Sequence, residues 1–258
     1  MWWAISPHEY PLLLKLDKKL YPTNSPVTEA HLEVWFSKNP EFGLVLTVGD
    51  DADREYNDTT KPVVAPIFGF FVCIPLAKAA WEKLIAGEIE ESDVSAQDVF
   101  DVGRDDELYL HIYHMEKDIH GTAGTAQPNS GQNYSFVHEA LRKVAELIEA
   151  LGAENAAAPQ TTNRIRLGGI SALCVSESGI RICERLGFRE ETFVSEEYIV
   201  VDSGGGEIEV HTFPTTEHAQ EICAKEGKRI VNRTKLLVAR RRRDMEDGVS
   251  NNIWKTYF

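Results

Sequence analysis

The stretch ELYLHIYHME, residues 107–116, carries the best acid/base candidates in the chain: His111, His114 and Glu116, interleaved with Tyr109 and Tyr113. A histidine changes charge near neutral pH and a carboxylate accepts a proton, so this run can supply a general base. Read as a strand, it alternates. Leu108, Leu110, Ile112, His114 and Glu116 face one way, and Tyr109, His111, Tyr113 and Met115 the other. His111 and His114 are therefore expected on opposite faces, which removes a paired metal-ligand reading. Cys73, Cys174, Cys183 and Cys223 stand singly in mostly apolar contexts without CxxC spacing, and read as buried reduced thiols with no zinc site.

The elements that must position these residues follow from periodicity and punctuation. WWAIS (2–6) reads as a short strand, and Pro7 opens a helix to Leu20 with Leu12, Leu13, Leu16 and Leu20 on one side. Thr28 caps a helix over roughly 29–38. Strands follow at 42–48 and 63–76, the second broken by Pro66. A helix over 78–87 ends on Gly87. After the long strand comes a Gly/Thr/Asn/Ser/Pro loop at 117–133. The clearest helix spans 135–152, with Phe136, Ala140, Val144, Leu147, Ile148 and Leu151 as its stripe and Gly152 as its stop. Then come a strand (166–175), a helix (177–187), one or two strands (188–202), and strands at 207–213 and 234–240. This order describes a mixed α/β sheet with helices on its faces.

The chain has 258 residues, enough for one large core, and no apolar run approaches the ~20 residues of a membrane span. The start, MWWAISPHEY, lacks the pattern of a secretory signal, so the cytoplasm is the expected location. A formal net charge of −14 argues against nonspecific binding to nucleic acid or an anionic membrane and favours cationic ligands such as amines. The acidic stretch at 88–107 can attract a polyamine, an aminoglycoside-like drug or a lysine, or simply be a solvated surface.

The order of elements, with GISALCVSESGIRICERLGF near its end, resembles the GNAT superfamily of acyl-CoA-dependent N-acetyltransferases over roughly residues 1–200. The family's last helix reads Asn-x-x-Ala-x-x-x-Tyr-x-Lys/Arg-x-Gly-Phe. Ser176, Gly179, Cys183, Arg185, Gly187 and Phe188 stand at those positions in order. Gly187 can take the left-handed conformation that ends a helix, and Phe188 then starts a strand. The resemblance implies an α+β (mixed α/β) fold with a central, mostly antiparallel twisted sheet and helices on both faces. Residues 1–200 would form the acyltransferase domain, and 201–258 a β-rich C-terminal extension packed on it.

It also implies acetyl-CoA as cosubstrate and direct acetyl transfer to an amine of a small molecule or a lysine. Glu116 or His114 is the implied base. In the family the tyrosine protonates the departing CoA thiolate. Cys183 stands in its place with an S–H that could donate, or it packs in the helix face while water protonates the thiolate. The family's diphosphate-binding turn maps to IHGTAGTAQPNSGQNYSF in two registers. One uses Gly121, Gly124 and Ala126. The other uses Pro128, Gly131 and Asn133, and is preferred because diphosphate binding needs the helix start. It makes Gly131, Gln132 and Asn133 cofactor-binding, together with Ser176 and the backbone of Met115 and Glu116 for pantetheine.

Two readings compete with transfer chemistry. One is a GNAT-like module that has lost its chemistry and acts in binding or assembly. The other is a nucleic-acid-associated factor working through Arg240–Arg243, a run that could also serve as a nuclear address. Acidic neighbours Asp244, Glu246 and Asp247 count against that and are expected to pair with the arginines. Ile253, Trp254, Tyr257 and Phe258 are expected to pack on their own domain or on a second copy in a homodimer.

Overall fold

The structure is a computed structural model that describes residues 1–20, 27–47, 59–60, 65–117, 130–157, 165–190, 196–202, 208–213, 216–233, 235–241 and 253–257. Its main sheet is built on β1 (Trp2–Ala4), β2 (Gly43–Thr47), β3 (Ile67–Leu76), β4 (Glu107–Lys117) and β5 (Arg166–Cys174). Two further strands, β6 (Arg189–Glu190) and β10 (Lys235–Arg240), complete it in the order β1-β2-β3-β4-β5-β10-β6. Every pair is antiparallel except β4–β5. A second, three-stranded sheet contains β7 (Glu196–Asp202), β8 (Ile208–Phe213) and β9 (Lys228–Arg233), with β7 in the middle. The expected mixed α/β, mostly antiparallel sheet is thus the sheet observed. Its next-to-last strand, β10, comes from beyond residue 200.

The helices are α1 (Tyr10–Leu20), α2 (Glu29–Phe36), α3 (Lys78–Ile85), α4 (Ser130–Ala157), α5 (Glu177–Arg185), α6 (Thr216–Glu226) and α7 (Ile253–Thr256). They lie on both faces. A Cβ at Gly43 would strike Ile5 and meet the Phe36 ring of α2, whereas one at Gly69 would approach the Phe136 ring of α4. Gly69 pairs with Leu46, so the two glycines point to opposite faces of the sheet. The core between them is aromatic, with Trp35, Phe42, Phe70, Phe71, Trp81 and Phe100 fully buried.

Several boundaries differ from the pattern in the sequence. Helix α1 starts at Tyr10, because the Glu9 carboxylate locks the preceding turn by accepting from the Ser6 backbone N–H at 2.8 Å and the Ser6 hydroxyl at 2.5 Å. Helix α4 runs through Gly152 to Ala157, since AENAA after the glycine favours helix and nothing local breaks it. It also begins at Ser130, so Gly131, Gln132 and Asn133 fall inside its first turn and not in a loop before it. Helix α6 and strand β9 were not legible in the periodicity. Gly187 has φ 87°, and the Phe188 N–H reaches back to Cys183 O at 3.0 Å, the left-handed stop expected there.

The C-terminal tip packs on its own domain: Ile253 and Trp254 are buried, and the Ile253 N–H donates to Leu186 O at 3.0 Å. Arg240 lies over the Trp81 ring, 5.0 Å from its centroid. The acidic partners expected for the arginine run, Asp244, Glu246 and Asp247, lie outside the described residues. Among the described residues no helix is long and apolar enough to cross a membrane.

Candidate active site

Strand β4 carries the site, and a one-residue irregularity in it decides which side chains meet. Pairing with β3 steps from Cys73↔Ile112 to Val72↔His114, leaving Tyr113 as an extra residue on β4. The extra residue resets the alternation. His111 lies opposite Ile74 and His114 opposite Val72, so both histidines share one face. This corrects the expectation that they point apart, which strict alternation had required. Even so, among the described residues no group of three or more His, Cys, Asp or Glu is placed to hold a metal ion.

The parallel ladder between β4 and β5 ends at Ile112↔Ala172, although both strands continue. Beyond that point the strands part, and a cleft of about 120 Å³ lies between them. Tyr113, His114 and Met115 line its β4 wall, and Cys174 and Ser176 the other. Cys183 of α5 closes the far side, while Asp17 of α1 and Glu91 reach in from the helical layer. The β5-facing edge of residues 113–117 has no strand partner among the described residues. Successive residues turn their backbone groups to opposite sides, so only alternate ones along 113–117 face the gap where pantetheine was expected, and the Glu116 carbonyl lies on the Gly69 side.

His114 is buried between two carboxylates. Its Nδ1 lies 3.7 Å from Asp17 Oδ1, and its Nε2 lies 3.5 Å from Glu116 Oε2. The Glu116 contact falls short of a hydrogen bond, and Nε2 and Oε2 are both buried without one. Burial alone would lower the imidazole pKa. Asp17 and Glu116 outweigh it, and the value is raised above the ordinary 6.5. Tyr113 packs edge-on against Trp35, with centroids 5.1 Å apart, and burial together with the nearby Asp17 carboxylate drives its pKa far up.

His111 belongs to a separate, fully formed chain of hydrogen bonds. Trp81 Nε1 donates to Ser171 Oγ at 2.9 Å, Ser171 Oγ meets His111 Nδ1 at 2.8 Å, and His111 Nε2 meets Glu91 Oε1 at 2.8 Å. An indole N–H only donates and a carboxylate only accepts. Nε2–H therefore donates to Glu91, while at Nδ1 a neutral ring accepts from the Ser171 O–H and a charged ring donates to Ser171 Oγ.

Cys183 is buried with its Sγ 3.6 Å from that of Cys174. The hydrogen bond with Cys174, and burial after it, raise its pKa well above that of an ordinary thiol. All four cysteines are free and buried. The Ser176 hydroxyl caps α5 by accepting from the Gly179 N–H at 3.1 Å. The backbone of Gly131, Gln132 and Asn133 forms the first turn of α4, where free N–H groups suit an anion. Gly121, Gly124, Ala126 and Pro128 lie outside the described residues.

Asp17 and Glu91 are the site residues that sequence reasoning missed. Asp17 did leave a signal: it stands four residues after Leu13 and three before Leu20, a charge inside the apolar stripe of α1. Glu91 was indistinguishable from its acidic neighbours.

No family model and no curated protein matches the sequence. Solved structures similar to this chain include Arabidopsis thaliana NAA60 in complex with acetyl-CoA, at 11% identity over 94% of this chain and 98% of that chain, with a TM-score of 0.38. Another is mosquito arylalkylamine N-acetyltransferase like 5b, at 12% identity, 93% and 99% coverage and a TM-score of 0.40. A third is the Drosophila melanogaster polyamine N acetyltransferase, at 14% identity, 93% and 99% coverage and a TM-score of 0.35. Likeness at this level decides neither site nor activity, which rest on this chain's own geometry. By its strand order, the one parallel pair among the described strands and the cleft where that pair ends, the chain has a GNAT-like fold.

Proposed function

We propose that this protein is an acyl-CoA-dependent N-acyltransferase that passes an acetyl group from acetyl-CoA to an amine by direct attack. The observation that carries this reading is the cleft where the β4–β5 ladder stops, with His114 and Asp17 in its wall and Glu116 3.5 Å from the imidazole. The β5-facing edge of β4 would hold the pantetheine through the backbone of Met115. The first turn of α4, at Gly131, Gln132 and Asn133, would receive the diphosphate. Ser176 would serve the cosubstrate by fixing the start of α5 beside the cleft.

The acceptor arrives as an ammonium and must lose a proton before its lone pair can attack the thioester carbonyl. His114 takes that proton, and Asp17 and Glu116 hold the resulting imidazolium. Attack forms the C–N bond and breaks the C–S bond, and the amide nitrogen gives up its second proton to solvent. The CoA thiolate then needs one proton. Cys183 lines the cleft and can hydrogen-bond the sulfur, but its raised pKa makes full transfer uphill, so water supplies the proton.

Calorimetric titration with acetyl-CoA, followed by a thiol-release assay over an amine panel, tests this. Saturable binding and amine-dependent release are expected. Absence of acetyl-CoA binding up to millimolar concentration would overturn the reading and leave a binding or assembly module.

A further inference from the structure

Cys174, the last residue of β5, and Cys183, in the last turn of α5, bring their sulfurs to 3.6 Å. Both line the cleft, on the wall that faces Tyr113 and Met115. Cys73 and Cys223 are buried too, but neither is among the described residues lining it. Space for movement exists at Gly179. A Cβ there would lie 3.8 Å from Cys174 Sγ and 3.9 Å from its Cβ, so the glycine leaves that side of the thiol open. Positions 179 and 183 are also where α5 departs from the GNAT helix pattern, with glycine for alanine and cysteine for tyrosine. Both departures border Cys174. A disulfide sets its sulfurs about 2.05 Å apart, so the two side chains have a gap of about 1.5 Å to close.

We infer that Cys174 and Cys183 are a reversible oxidation site, closed to a disulfide by a hydroperoxide that enters through the cleft. Cys174 is the more open of the two, 6% exposed against 2%, and reacts first. Its thiolate attacks one peroxide oxygen, the O–O bond breaks, and the departing hydroxide takes up the thiol proton as water, leaving a sulfenic acid. The Cys183 sulfur then attacks the sulfenic sulfur. The S–O bond breaks, and hydroxide leaves with the Cys183 proton as a second water. Two sulfurs have given up two electrons, and the peroxide has gained them. The Cys174 hydrogen bond and burial keep Cys183 protonated, which slows this second step, but contact between the sulfurs offsets that by making it intramolecular. Exchange with a free thiol reopens the pair. Closure removes the Cys183 S–H from the cleft wall, so under the transferase reading oxidation and cosubstrate compete for one place.

The test treats the reduced full chain with hydrogen peroxide, quenches with catalase, and alkylates the unfolded protein with N-ethylmaleimide before intact-mass measurement and tryptic mapping. Two of the four cysteines are expected to escape alkylation, with peptide 167–181 joined to peptide 182–185 until dithiothreitol separates them. Cys183→Ser should stop Cys174 at a sulfenic acid that dimedone captures, with no joined peptides. Four alkylated cysteines, overoxidation of Cys174 without joined peptides, or bridges made by Cys73 or Cys223 instead would each overturn the proposal. Saturating acetyl-CoA should slow closure roughly tenfold by filling the cleft, an arm that rests on the transferase reading. Bridging at an unchanged rate with acetyl-CoA present would sink the cosubstrate site and leave the thiol pair standing. Acetyl-CoA binding without any bridge would sink the thiol pair alone.

Discussion

His114 Nδ1 lies 3.7 Å from Asp17 Oδ1, joining the central strand of the sheet to the first helix of the chain. The contact puts a charge from the apolar stripe of α1 to use and completes a carboxylate–imidazole–carboxylate row with Glu116. Its consequences can be measured.

The first is in the pH–rate profile. Burial would lower the His114 pKa, but the two carboxylates raise it above 6.5, and a base acts only when neutral. Activity, as kcat/KM, should therefore climb with pH through that raised value. Asp17→Asn removes one anion and should move the acidic limb to lower pH. His114→Gln should abolish the limb and cost a hundred- to ten-thousandfold, roughly the worth of a general base.

Stability should follow the same group. A histidine whose folded pKa is raised stabilises the fold fully below its unfolded pKa, and that contribution fades as pH rises through the folded value. Asp17→Asn should thus lower the urea midpoint more at about pH 5.5 than at about pH 9. An equal loss at both would show that His114 carries no extra proton affinity.

Ser171→Ala should be costly out of proportion to its size. It strands the Trp81 indole N–H and the His111 Nδ1, both bonded to Ser171 Oγ in a buried setting. A loss of about 2–4 kcal/mol is expected from two unpaired polar groups, read by chemical denaturation.

Cys183→Ala separates packing from proton donation. The thiol is buried against Cys174, so its removal should cost about 1 kcal/mol in denaturant stability. If water protonates the CoA thiolate, thiol release should stay within about threefold of wild type, and a much larger loss would make Cys183 the donor.

Gly187→Ala tests the helix stop. At φ 87° an alanine is strained, and a loss of about 1 kcal/mol or more is expected in thermal or denaturant melts.

Much of this molecule can be read from local pattern. Apolar periodicity located α1 to α5 and β2 to β5 because a side chain's neighbours along one element follow from its own sequence. The Gly187–Phe188 turn was legible for the same reason: only the local backbone is involved. The acid/base candidates His114 and Glu116 were visible by residue type. Helix α6 and strand β9 were not, since neither shows a clear apolar stripe in its own residues.

What residue order alone determined was which elements exist and which side chains could titrate. Tertiary structure decided who meets whom. Pairing with β3 makes room for Tyr113 as an extra residue and turns His114 onto the face of His111, an outcome set by the partner strand's register. Asp17 and Glu91 enter the site from α1 and from the turn after α3, and β10 closes on β5 from the far end of the chain. Such contacts depend on packing between segments remote in sequence, and period-counting within one segment carries no information about them.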